Sequence, residues 1–111
     1  MHEIGIVEEV LSIIFEKVQT QRVKKVVLRI GKLSGVYPDA VRFGFDICSE
    51  GTRAEGAALE IIETAATAKC HACEKEFEID QPYGQCICGS TEISTVGGDD
   101  LMIQKVEVAH V

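Results

Sequence analysis

The stretch from Lys69 to about Thr95 most constrains what this chain can fold into. It carries four of the five cysteines, Cys70, Cys73, Cys86 and Cys88, together with Pro82, Gly84 and Gly89, and almost no large aliphatic side chains. A segment of that composition cannot build a hydrophobic core of its own. A structural metal supplies folding free energy of the needed size, on the order of 10 kcal/mol in small zinc peptides. The expectation is a metal-stapled insertion between two strands of a larger unit.

Thiolates suit zinc, and Cys70-His71-Ala72-Cys73 has the two-residue gap that lets both sulfurs of one turn reach the same ion. The second pair, Cys86-Ile87-Cys88, is one residue tighter, with Gln85 where ribbon-type knuckles usually have a cysteine. Three readings follow: a four-thiolate zinc site, a site in which His71 replaces one sulfur, or a redox dithiol. The redox reading requires a helix N-terminus to depress the thiol pKa, whereas this segment follows an apparent strand, Leu59 to Glu63. A filled four-thiolate site is structural and leaves no open position for catalysis. Cys48, the unpaired fifth cysteine, is expected as a small core residue of a helix.

Bulk properties narrow the function classes. With 111 residues there is room for one ordinary domain, or a small core carrying a still smaller module. Hydrophobic residues reach 46%, but aromatics are 5% and Trp is absent, so aliphatic side chains do the packing. The formal charge of -7, with no basic run longer than Lys24-Lys25, argues against nucleic acid as a partner. The insertion itself sets Lys69 and Lys75 against Glu74, Glu76, Glu78, Asp80 and Glu92, the opposite of a nucleic-acid ribbon. No apolar run approaches a membrane span, and Glu8, Glu9 and Glu16 interrupt the N-terminal stretch that would imitate a signal peptide. The expected location is the cytoplasm. Three histidines scattered at positions 2, 71 and 110 offer no nucleophile with a nearby base, so the chain reads as a non-enzyme.

Outside the insertion, Ile4, Val7, Leu11, Ile14, Phe15 and Val18 recur every three or four residues, the stripe of an amphipathic helix. Val23 to Ile30 is rich in branched residues and ends at Gly31, a strand leading into a turn. Pro38 and Asp39 suit the first turn of a second helix, with Val41, Phe45 and Cys48 on one face. Leu59–Glu63 and Leu101–Ala109 are further strands, the last with Met102, Val106 and Val108 expected on one face and Leu101 and Ile103 on the other.

The amino terminus offers a second, unlike metal site. The α-amine of Met1, the main-chain nitrogen of His2 and its imidazole can close adjacent chelate rings around one ion, a nitrogen-rich set suited to nickel or copper. The helix dipole disfavours protonated His2, which keeps the imidazole available. Glu3 has a sufficient role as a first-turn acid, and is also a candidate ligand or a partner that orients His2. His110 reads as a solvent-facing tail residue.

Met1-His2-Glu3, the turn Ile30-Gly31-Lys32-Leu33-Ser34-Gly35, the stretch Glu55-Gly56-Ala57-Ala58-Leu59, Gly97-Gly98 and the cysteine cluster ending Cys88-Gly89-Ser90 together resemble the HypA family of hydrogenase and urease nickel-insertion metallochaperones. The resemblance extends over essentially the whole chain and departs from the family only in the single residue between Cys86 and Cys88. It implies an α+β fold: two helices packed on a three-stranded mixed sheet, with an inserted zinc-ribbon-like module. The expected division is 1–68 with 97–111 for nickel and 69–96 for zinc. It further implies Ni²⁺ as transferred cargo bound through Met1, His2 and Glu3, and structural Zn²⁺ on Cys70, Cys73, Cys86 and Cys88. The partners implied are a HypB-type GTPase and the precursor of the [NiFe]-hydrogenase large subunit, with urease accessory proteins a secondary route. The alternative function is a zinc-ribbon module for protein interaction without nickel delivery.

Overall fold

The computed structural model of the chain describes residues 2–81 and 83–109, with the His2 side chain excepted. Helix α1 spans His2–Val18, and the left-handed conformation of Gln19 stops it. Strand β1, Val23–Gly31, is the central strand of the first sheet. Helix α2 covers Pro38–Ser49 and starts on the proline, whose missing N–H costs nothing in a first turn, with Asp39 complementing the dipole. Because β1 and strand β2, Ala58–Thr64, run parallel, the chain needs a crossover between them, and α2 is that crossover.

The chain then builds a second, antiparallel sheet from β3 (Ala66–Cys70), β4 (Glu76–Ile79) and β5 (Ile93–Val96), in the order β4-β3-β5. It returns through β6, Leu101–Val108, which pairs antiparallel with β1 and completes a mixed sheet of order β2-β1-β6. The architecture is α+β as expected: two helices on a mixed three-stranded sheet, with a second small sheet interposed before the last strand.

Both helices lie on one face of the first sheet. Val7, Val10, Leu11 and Ile14 of α1 and Val41 and Phe45 of α2 are buried against Val26, Leu28 and Ile30 of β1. Cys48 packs at the margin of this cluster, where burial and then the Glu8 carboxylate push its thiol pKa up.

The facing of β6 differs from the sequence expectation. Its partners on β1 are Ile30 for Leu101, Leu28 for Ile103, Val26 for Val106 and Val23 for Val108. Leu101, Ile103, Val106 and Val108 therefore share the core side, while Met102 pairs with Arg29 on the other. Strict alternation cannot do this. The register shifts between Val27–Lys105 and Leu28–Ile103, leaving Gln104 as an extra residue that resets the phase.

The two sheets meet at a tight backbone crossing. A Cβ on Gly31 would sit 2.1 Å from the carbonyl oxygen of Gly98, and one on Gly98 would sit 2.7 Å from the Cβ of Ala66. Only glycine fits at both positions. The crossing is closed by Leu33 N–H to Gly98 O at 2.6 Å, Gly31 N–H to Asp100 O at 2.7 Å and Lys32 N–H to Thr64 O at 2.8 Å. Asp100 also accepts from the Thr64 hydroxyl at 3.0 Å and faces the Arg29 guanidinium at 3.6 Å.

Candidate metal centre

Cys70 is the last residue of β3, and the turn after it carries Cys73 back beneath it. Glu74 N–H bonds to Cys70 O at 2.9 Å, Cys70 N–H bonds to Lys75 O at 2.9 Å, and Glu74 takes a positive φ of 62° to close the loop. On the opposite side, Cys86 N–H bonds to Ser90 O and Gly89 N–H to Cys86 O, both at 2.8 Å, while the Gln85 side chain donates to Gly89 O at 2.7 Å. Gly89, at a φ of 97°, allows this sharp reversal after only one intervening residue between Cys86 and Cys88. Gln85 thus braces the loop from the position where a ligand would stand in a longer spacing.

These two loops bring all four sulfurs within 4.8 Å of one another. Across the loops, Cys70 Sγ lies 3.6 Å from Cys88 Sγ, and Cys73 Sγ lies 3.5 Å from Cys86 Sγ. A tetrahedral zinc with bonds of about 2.3 Å has sulfur–sulfur edges of about 3.8 Å, so the donor set fits a zinc ion in both chemistry and spacing. Cys70 and Cys86 are buried, whereas Cys73 and Cys88 reach the surface. The Cys73 backbone N–H lowers the Cys70 thiol pKa to about 6; burial opposes this, and the Ala72 N–H and the Cys88 and Cys73 thiols add to it. The cluster already favours the thiolate that a metal requires.

His71 does not join the sulfurs. Its Nε2 is 2.5 Å from the Ser94 hydroxyl and its ring is exposed, while its N–H bonds to Glu92 O across the sheet. The dithiol expectation also lacks its physical prerequisite here, since Cys70 closes a strand and no helix begins at the pair.

Two strands of the sheet beneath this cluster, β3 and β5, have no counterpart in the sequence expectation. β3 alternates buried and exposed, with Ala66, Ala68 and Cys70 inward, and Ala68 is paired with Phe77 on β4 and Thr95 on β5. Alanine and threonine carry little hydrophobic signal. The period-two pattern Ala66-x-Ala68-x-Cys70 was the available clue.

At the amino terminus, Glu3 is half-buried in the first turn of α1. Met1, the side chain of His2, and His110 lie outside the described residues. Among the described residues the four cysteines are the one cluster of metal-ligating side chains.

The profile for hydrogenase/urease nickel incorporation metallochaperones, HypA, matches residues 1–108. The chain belongs to the HypA family. The hydrogenase maturation factor HypA of Nostoc sp. is 46% identical over 111 residues, all of this chain and 98% of that protein. The factor of the same name from Acidithiobacillus ferrooxidans is 40% identical and covers 97% of this chain and 99% of its own length. The solution structure of the Ni metallochaperone HypA from Helicobacter pylori shares the fold with a TM-score of 0.61, at 21% identity, over 96% of each chain. A second HypA solution structure superposes with a TM-score of 0.64 over 98% of this chain and 97% of that one, at 23% identity. HypA proteins are metallochaperones and not enzymes, and among the described residues no helix is long and apolar enough to cross a membrane.

Proposed function

We propose that this chain binds Ni²⁺ at its amino terminus and delivers it during maturation of [NiFe]-hydrogenase, with zinc in the cysteine cluster as a structural staple. The observation that carries the reading is the HypA match from residue 1 to residue 108, which includes Met1-His2-Glu3 and all four clustered cysteines. We assign nickel to residues 1–68 and 97–111 and zinc to 69–96.

The proposed nickel ligands are the Met1 α-amine, the His2 main-chain nitrogen and the His2 imidazole, with Glu3 as a further ligand or as the group that orients His2. A delivery site must release its cargo. Nitrogen ligands at a helix terminus serve that need, because few buried contacts break when an acceptor's ligands compete. Zinc held by Cys70, Cys73, Cys86 and Cys88 supplies a cross-link between the two loops and no chemistry on the cargo. A HypB-type GTPase and the hydrogenase large-subunit precursor are the proposed partners in the cytoplasm, and urease accessory proteins a secondary route.

Metal analysis of the untagged chain, followed by calorimetric nickel titration of that sample and of His2→Ala, tests the proposal. The expected result is one zinc per chain and one nickel site that disappears in His2→Ala, and also on extension before Met1, without loss of zinc or helix content. Unchanged nickel affinity in either variant rejects the terminal site and leaves a zinc-stapled interaction module.

A further inference from the structure

The four sulfurs of the cluster could join in pairs in three ways, and the fold favours one of them. Two contacts run across the loops, Cys70 Sγ to Cys88 Sγ at 3.6 Å and Cys73 Sγ to Cys86 Sγ at 3.5 Å. Each couples a buried sulfur with one that reaches the surface. A disulfide closes at about 2.05 Å, so a shift of about 1.5 Å joins either pair. Main-chain bonds hold both loops in place, Cys70 N–H to Lys75 O at 2.9 Å and Cys86 N–H to Ser90 O at 2.8 Å, so rotation of the cysteine side chains supplies that shift.

The other two pairings fit worse. Closing Cys86 on Cys88 across the single residue Ile87 makes a small, strained ring, and a strained disulfide is the more readily reduced. Joining Cys70 to Cys86 and Cys73 to Cys88 would exchange both existing contacts. Pairs within a loop would also leave the loops unconnected, whereas the cross-loop pairs tie together the same two loops that a metal holds. The tip between Cys86 and Cys88 is open to attack: Ile87 is 91% exposed, Cys88 reaches the surface beside it, and Cys70 waits behind as the resolving sulfur.

We propose that the cluster is a peroxide-responsive site that exchanges its zinc for two cross-loop disulfides, Cys70 with Cys88 and Cys73 with Cys86, and takes zinc back on reduction. The inference rests on zinc as the resident ion. The Cys88 thiolate attacks one oxygen of hydrogen peroxide, the O–O bond breaks, and a sulfenic acid and a hydroxide result. The Cys70 thiolate then attacks the Cys88 sulfur and expels a second hydroxide, so two sulfurs have given two electrons to one peroxide. Zinc has lost two ligands, and Cys73 and Cys86 repeat the sequence with a second peroxide as the ion leaves. A dithiol reductant reverses both bonds by exchange. No helix start and no pair within one loop is required, which separates this chemistry from that of a thiol oxidoreductase.

Hydrogen peroxide added to the full chain, with metal analysis beforehand and a chromophoric zinc chelator throughout, tests the proposal. One zinc should be released for every two peroxides consumed, and tandem mass spectrometry should map the disulfides to the two cross-loop pairs. Amide protection between Ala66 and Val96 should persist in the oxidised, zinc-free chain and vanish in a chain stripped of zinc under reducing conditions. Dithiothreitol followed by zinc should restore the full metal content. Cys48, whose thiol pKa burial and Glu8 push up, should remain reduced. A chain isolated without zinc overturns both this inference and the zinc assignment beneath it. Zinc retained through excess peroxide overturns this inference alone, as do disulfides within a loop, protection lost on oxidation, or failure to take zinc back after reduction.

Discussion

The two sheets of this chain solve the same problem with opposite resources. The first is covered by two helices and closes over Val7, Ile14, Val26, Leu28, Ile30, Val41 and Phe45, side chains large enough to hold it by burial alone. The second buries Ala66, Ala68, Cys70 and Cys86, which offer little apolar area, and spends its geometry on aiming four sulfurs at one point. Burial spreads stability over many replaceable contacts, whereas a metal cluster concentrates it in four atoms. The first sheet should therefore lose stability by degrees, and the second all at once.

The largest effect expected follows from breaking the cluster. Cys73→Ser removes a surface-reaching ligand with little change of volume. It should forfeit metal-linked folding free energy on the order of 10 kcal/mol, releasing zinc and melting β3–β5. Amide hydrogen exchange reads the contrast directly: protection should vanish between Ala66 and Val96 and persist in α1, β1 and α2. Stoichiometric zinc retained in Cys73→Ser would remove that residue from the ligand set.

Acid should draw the same line between the sheets. The Cys70 pKa is lowered in the folded chain to about 6, so the stability it contributes is complete above the ordinary thiol value and is lost as pH falls through about 6. Zinc release monitored with a chromophoric chelator should begin below that pH, ahead of any loss of helical ellipticity. Simultaneous loss of both signals would show that the sheets unfold as one.

Phe45→Ala tests the other side. Phe45 is among the largest fully buried side chains, and truncating it should cost about 3–5 kcal/mol in urea unfolding followed by circular dichroism. Zinc should stay bound through the first transition. If instead the metal leaves with the helices, the cluster depends on the aliphatic core for its support.

This contrast also explains what could be read from residues alone. The large aliphatic side chains announce α1, β1, α2 and β6 through their spacing, and Pro38 marks the start of α2 to the residue. β3 and β5 go unannounced because alanine, threonine and serine fill a small sheet without a hydrophobic signal. The phase of β6 is ambiguous from residues alone because a bulge adds one residue to a period-two pattern, and nothing local in Ile103-Gln104-Lys105 distinguishes a bulge from a regular strand. The cysteine cluster was legible because its chemistry needs only residue type and spacing. The bracing of Cys86-Ile87-Cys88 by Gln85 and Gly89 was not, since it depends on backbone directions that spacing does not encode.

The smallest effect concerns how far the two sheets sense each other. Asp100 stands at the crossing, where its carboxylate takes the Thr64 hydroxyl at the end of β2 and faces Arg29 on β1. The ion pair is exposed and adds little, and the hydroxyl bond is partly buried, so Asp100→Ala should cost only about 1 kcal/mol of overall stability. The backbone crossing of Gly31 and Gly98 should survive it, because its hydrogen bonds are main-chain. A double-mutant cycle between Asp100→Ala and Phe45→Ala separates the two ways this junction can act. Additive losses mean that the crossing only ties the sheets together. A coupling beyond about 0.5 kcal/mol means that packing in the aliphatic core is transmitted through Asp100 toward the cysteine-bearing sheet.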